Sequence, residues 1–143
     1  MQGMVSCMSA AENFTDNLVQ TSFAVTAILN RVASEHDLSL TQLRVLGILR
    51  DREPTMAELA SYLGLERSTV SGLIDRAVGR GLVRKTTDAA DGRSVRVSLT
   101  AEARRLAPAI IAEIGELLSP MTSRLNPGEQ QRLTALLGKV LTV

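Results

Sequence analysis

Between Met56 and Asp75 the chain reads MAELASYLGLERSTVSGLID, and this run constrains the fold more than any other. Two stretches of helical spacing meet at Gly64. Ala60 lies four positions before it, and Leu59, Leu63, Leu65, Val70 and Leu73 are placed to point into a shared core. Two helices that cross closely need a small residue at the crossing. The tight turn between them needs a residue that tolerates positive φ. Ala60 and Gly64 meet these needs. The combined spacing is that of a helix-turn-helix, whose second helix enters the DNA major groove.

The outward face of that second helix carries Arg67, Ser68, Thr69, Ser71, Gly72, Asp75 and Arg76. Short polar side chains at its start let the helix N-terminus approach phosphates, which its N–H groups and dipole favour. A longer Arg76 reaches a base edge, with guanine as its usual partner. The competing reading is an ordinary helical hairpin with a solvated polar face.

The residues beyond Asp75 weaken that competitor. Val70, Leu73, Ile74 and Ala77 form an apolar stripe that predicts a helix from Arg67 to Arg80, with Gly81 as its left-handed stop. The period then becomes twofold. Leu82–Thr86 and Ser94–Leu99 read as two strands around a turn-forming run, Asp88–Arg93. In the second strand Val95, Val97 and Leu99 should face one way, and Ser94, Arg96 and Ser98 the other. Arg84, Lys85, Arg93 and Arg96 crowd this hairpin. A basic wing beside a recognition helix grips a second groove, and an arginine at its tip suits a narrow, electronegative minor groove.

The formal charge of +1 hides this asymmetry. From Tyr62 to Arg96 there are seven basic and four acidic residues, a net of +3. From Met1 to Leu40 there are one basic and four acidic residues, a net of −3. Positive charge collects in the segment that would face phosphates.

The remaining chain reads as helix. Phe14, Leu18, Phe23, Val25, Ile28, Leu29 and Val32 predict a long first helix over about Ala11–Ser34. A second starts at Thr41, with Leu43, Leu46, Ile48 and Leu49 as its apolar face. Thr55 caps a third, and Glu58 completes a capping-box pattern. After Thr100, Leu106, Ile110, Ile114, Leu117, Leu118 and Met121 define a fifth, which Pro108 should kink and Pro120 should end or bend. Asn126-Pro127-Gly128-Glu129 opens a sixth, carrying Leu133, Leu136, Leu137, Val140 and Leu141.

Several classes are excluded. A single Cys and a single His leave no disulfide framework, no metal cluster and no catalytic constellation, so neither enzyme activity nor a cofactor is expected. No apolar run is long enough to span a membrane, and Met1–Ala11 has no secretory-signal anatomy. A cytoplasmic location is the expectation.

Thr55-x-x-Glu58-Leu59-Ala60, Leu63-Gly64-Leu65, Arg67-Ser68-Thr69-Val70-Ser71, Ile74-Asp75-Arg76, Gly81-Leu82-Val83, Asp91-x-Arg93 and Val97-x-Leu99-Thr100 together resemble the MarR family of bacterial winged-helix regulators. The resemblance runs from about Leu18 to the C-terminus and is most specific from Thr55 to Thr100. The chain departs from the family pattern at Gly79, Asp37 and Pro108. The implied fold is mainly α with a small β-hairpin wing: a winged helix-turn-helix lobe (37–100) plus a helical dimerisation region (1–36 and 101–143). The implied protein is a homodimeric regulator, a repressor by preference, on a pseudo-palindromic operator in double-stranded DNA. Ser68, Thr69, Ser71, Gly72 and Arg76 would lie at the groove and Arg93 at the wing tip. Asp91 would orient the wing by pairing with an Arg, and Asp75 would be a structural partner of a nearby Arg.

A dimer is also expected from the apolar terminal helices, which have little core of their own to bury against. The resemblance further implies a small-molecule effector in a cleft between the dimer helices and the lobe, where Phe23, His36 and Arg44 are candidates. His36 has a plainer reading, as a helix C-terminal residue on the dipole. Cys7 opens a redox-sensing alternative, but no Tyr lies near it in sequence. A winged-helix protein-interaction module without DNA binding is the other alternative. Arg67, Arg76 and Arg93 argue against it.

Overall fold

The computed structural model describes residues 9–87, 89–90 and 92–142. Among these residues, six helices and one hairpin run in the order α1 (Ala10–Glu35), α2 (Leu40–Leu49), α3 (Met56–Leu63), α4 (Arg67–Gly79), β1 (Val83–Thr87), β2 (Val95–Leu99), α5 (Ala101–Thr122) and α6 (Pro127–Leu141).

Local chemistry sets the helix starts. Ser9 and Ser39 cap α1 and α2 through reciprocal boxes with Glu12 and Gln42, so α2 begins one residue before the predicted Thr41. At α3 only half of the predicted box forms: the Glu58 N–H donates to Thr55 Oγ1 at 3.2 Å. Asn126 and Glu129 complete a full box at α6. Gly64 ends α3 at φ 65° and Gly81 follows α4 at φ 73°, where a Cβ would be strained. Asp37 is also left-handed, at φ 55°. That explains why a glycine suits the position and an aspartate is tolerated.

The core joins α1, α2, α3, α4, the hairpin and α5. Val32, Leu49, Leu59, Val70, Ile74 and Val97 are fully buried in it. Burying each such side chain contributes about 1.5–3 kcal/mol. Two sequence placements are corrected. Leu65 is 38% exposed rather than in the core, because the chain leaves the left-handed turn at Gly64 pointing outward. Ser98 is buried rather than solvent-facing. The reason is that β2 has neighbours on both edges. It pairs antiparallel with β1, and on its other side the Val97 N–H donates to the Pro54 carbonyl at 2.9 Å.

Pro108 and Pro120 both lie inside the single helix α5, so Pro120 does not end it. Ala103 and Ile110 are buried on either side of Pro108 and hold that segment against the lobe. By contrast, α6 buries none of its residues, and α1 is exposed from Ala10 to Phe23.

One hydroxyl fastens the wing to both flanking helices. Thr100 Oγ1 donates to the Gly81 carbonyl at 2.7 Å and accepts from the Ala103 N–H at 3.1 Å. Thr100→Val should lose an N-cap and a part-buried hydrogen bond, about 2 kcal/mol together. Urea unfolding at fixed protein concentration checks this. Thr100→Ser should restore most of the loss, and a Val variant as stable as wild type would contradict the assignment.

Candidate nucleic-acid interface

The α3–α4 pair presents α4 on the surface. Val70, Leu73, Ile74 and Ala77 face the core, so the intervening positions must face out. Arg67, Ser68, Thr69, Ser71, Asp75 and Arg76 are exposed and Gly72 is half-buried. The helix N-terminus has no side-chain cap bond at Glu66, so its first N–H groups remain available to an acceptor. Arg76 folds back along the helix: its Nη1 lies 3.6 Å from where a Cβ on Gly72 would sit. A larger residue at position 72 would crowd the guanidinium.

The wing meets this face. A cleft of about 390 Å³ is lined by Arg67, Ser68 and Ser71 from α4, Lys85 and Val95 from the hairpin, and Met56 from α3. Neither Met56 nor Val95 was expected at this face: Val95 was grouped with Val97 and Leu99, yet it is 37% exposed while they are buried. Arg84 and Arg93 are exposed on the hairpin. Asp91, the expected wing-orienting residue, and Cys7 lie outside the described residues.

Lys85, Arg96 and Arg80 are committed to protein partners. Lys85 Nζ lies 2.5 Å from Asp75 Oδ1, so the partner of Asp75 is a lysine on the wing, not the expected Arg. That pair ties the wing to the recognition helix. Arg96 was expected on DNA. It is half-buried instead, and its Nη1 donates to the Glu53 carbonyl at 2.8 Å, bracing β2 against the segment before α3. Arg80, one of the seven cations between Tyr62 and Arg96, donates to the carbonyls of His36 and Asp37 and so caps the C-terminal end of α1.

The candidate effector residues separate. A cavity of about 420 Å³ lies among α1, α2, α5 and β2, and of the three only Arg44 lines it. Phe23 is 70% exposed on α1 and does not line this cavity. His36 is not among the lining residues either, and its Nε2 lies 3.0 Å from Glu113 Oε2 on α5. A hydrogen bond shared with Glu35, then that with His36, hold the Glu113 carboxyl below its ordinary range. Sequence reading did not reach Glu113, which is 77 positions from His36. Arg44 has a second attachment: its Nη2 donates to the Tyr62 carbonyl at 3.0 Å, at the end of α3.

A helix pair crossing at a left-handed glycine, an antiparallel wing after the second helix and a polar, basic cleft between them define a winged helix-turn-helix regulator. Residues 36–94 match the sequence model of the MarR family. The transcriptional repressor NicR of Pseudomonas putida is 32% identical over 117 residues, 81% of this chain and 74% of NicR. Among solved structures, a mutant MarR from E. coli complexed with operator DNA superposes with a TM-score of 0.71 at 25% identity, covering 91% of this chain and 94% of that one. BpsR of Bordetella bronchiseptica, whose DNA binding is regulated by 6-hydroxynicotinic acid, gives a TM-score of 0.73 at 26% identity, covering 95% and 98%. The chain belongs to the MarR family, and it is a DNA-binding transcription regulator rather than an enzyme. Among the described residues no helix is long and apolar enough to cross a membrane.

Proposed function

We propose that the chain works in the cytoplasm as a homodimeric repressor that occludes a promoter by binding a pseudo-palindromic operator. The observation that carries the reading is the cleft that Arg67, Ser68 and Ser71 share with the wing. In this reading residues 37–100 are the reading lobe, and 1–36 with 101–143 are the dimerisation region. The α4 N-terminus docks on phosphates through Ser68, Thr69 and Ser71, with Gly72 leaving room for Arg76 to read a base edge. Arg84 contacts the backbone and Arg93 enters the minor groove. Lys85, held by Asp75, places the wing and adds charge. Asp91 orients the wing tip.

Release comes from a small molecule in the cavity that Arg44 lines. Such a ligand favours a spacing of the two reading heads that no longer matches the operator, a population shift. The BpsR comparison supports an effector of this kind.

Selection of genomic fragments with the purified protein tests the first part. The recovered fragments should share an inverted repeat whose half-sites are about 10 base pairs apart. Recovery without any preferred sequence would sink it.

A further inference from the structure

The cavity among α1, α2, α5 and β2 has a definite chemistry. Its wall is aliphatic, built largely of Leu and Ile side chains, and none of its lining residues is aromatic or acidic. The charged groups on the wall are Arg44 and Arg50. The space is also extended. A neighbouring cleft of about 190 Å³ shares Arg50, Leu99, Ala107 and Ile111 with it and adds Arg104. Acids near this end are held loosely: Asp51 is 3.9 Å from Arg50, and Glu53 is 3.9 Å from Arg104.

The geometry points to an aliphatic monocarboxylate of medium chain length as the occupant, with Arg44 as its anchor and as the link to the reading head. This rests on the proposed effector role of the cavity and names its ligand. A flexible alkyl chain suits an aliphatic space that runs on into a neighbouring cleft. A planar ring would find no aromatic face there to stack on. Its carboxylate meets cations without an acid on the wall, and arginine takes carboxylates in a two-pronged, charge-assisted contact.

The link is the bond from Arg44 to the Tyr62 carbonyl. That carbonyl is one of the α3 C-terminal groups without a partner inside the helix, directly before the Gly64 turn. Arg44 therefore tethers α2 to the turn of the helix-turn-helix. A carboxylate in the cavity is a stronger acceptor than a neutral carbonyl and competes for the same guanidinium. Ligand binding thus loosens the seat of α4 without touching the DNA face.

Gly47 offers a clean block. It lies in α2 on the cavity wall, and a Cβ built there meets no atom within 4 Å. Gly47→Leu adds a good helix former whose side chain occupies the cavity. It should fold with an unchanged or higher Tm.

Calorimetric titration of the full chain without DNA tests the inference, using hexanoate, octanoate, decanoate, decanol and 6-hydroxynicotinate. Affinity should rise roughly fourfold per methylene along the acid series. Decanol should bind at least about tenfold more weakly than decanoate, and Arg44→Gln should erase that difference. Gly47→Leu should lose decanoate binding at least about tenfold. Decanoate should also weaken operator binding by the wild type and not by Gly47→Leu. A flat chain-length series, equal binding of acid and alcohol, or tighter binding of 6-hydroxynicotinate than of decanoate would overturn the ligand class. Decanoate binding with operator affinity unchanged would overturn the link and the effector reading, leaving the ligand class intact. Release of the operator by 6-hydroxynicotinate without decanoate binding would do the reverse.

Discussion

Replacing Leu136 and Val140 together by glutamate should convert the proposed dimer to monomers and lower operator affinity by roughly a hundredfold to ten-thousandfold. The physical ground is α6 itself. It spans 15 residues and none of them is buried. An isolated helix of about that length is marginal in water, so something must cover it. Leu133, Leu136, Leu137, Val140 and Leu141 fall on one face, with Leu136 50% and Val140 61% exposed. On α1, Phe14 and Phe23 are exposed to 64% and 70%. A monomer rarely leaves this much apolar surface in water, and obligate dimers cover such surface with a second copy.

Two glutamates on that face would have to be buried at an interface, which costs several kcal/mol. A monomer then binds one half-site and loses the second, intramolecular event. Sedimentation equilibrium reads the dissociation, and circular dichroism should report loss of helix at α6. Gln131→Glu, on the polar side of α6, should leave the dimer intact. A wild type that sediments as a monomer, or a double variant that stays dimeric, would refute the interface.

What the sequence made legible was local. Gly64 and Gly81 need left-handed backbone, and Thr55, Thr100 and Asn126 cap the helices that start beside them. Each of these signals acts within four residues of itself. The α4 face was legible for the same reason, since helical spacing alone sorts Val70, Leu73, Ile74 and Ala77 from their polar neighbours. What stayed hidden depends on elements distant in the chain. Ser98 is buried because the Pro54–Thr55 backbone lies along β2. Arg80 and Arg96 reach carbonyls more than 40 positions away, so charge counting placed them in the DNA-facing set although their donors are spent on the fold. Pro108 lies within α5 between the buried Ala103 and Ile110, whose packing overrides a local helix-breaking tendency. The cavity is of this kind too: three chain-distant helices and β2 build it, and only Arg44 of the three candidates was placed on its wall.

Arg76→Ala should weaken binding to the selected operator by roughly ten- to a hundredfold and relax the preference at one base pair, the signature of a lost base-edge contact. Arg93→Ala should weaken binding to matched and mismatched sites alike, because a minor-groove or phosphate contact carries little base information. The salt dependence separates the two further. With about six to ten phosphates neutralised, the wild type should show a log–log slope of roughly −5 to −9, and losing one phosphate contact should make it shallower by about 1. Arg80→Ala is the control that the structure supplies. Its guanidinium holds the His36 and Asp37 carbonyls, so its loss should lower Tm while leaving base preference and salt slope unchanged. Equal, sequence-independent losses from Arg76→Ala and Arg93→Ala would contradict the division of roles between recognition helix and wing. A slope unchanged from wild type in Arg93→Ala would place its side chain off the DNA.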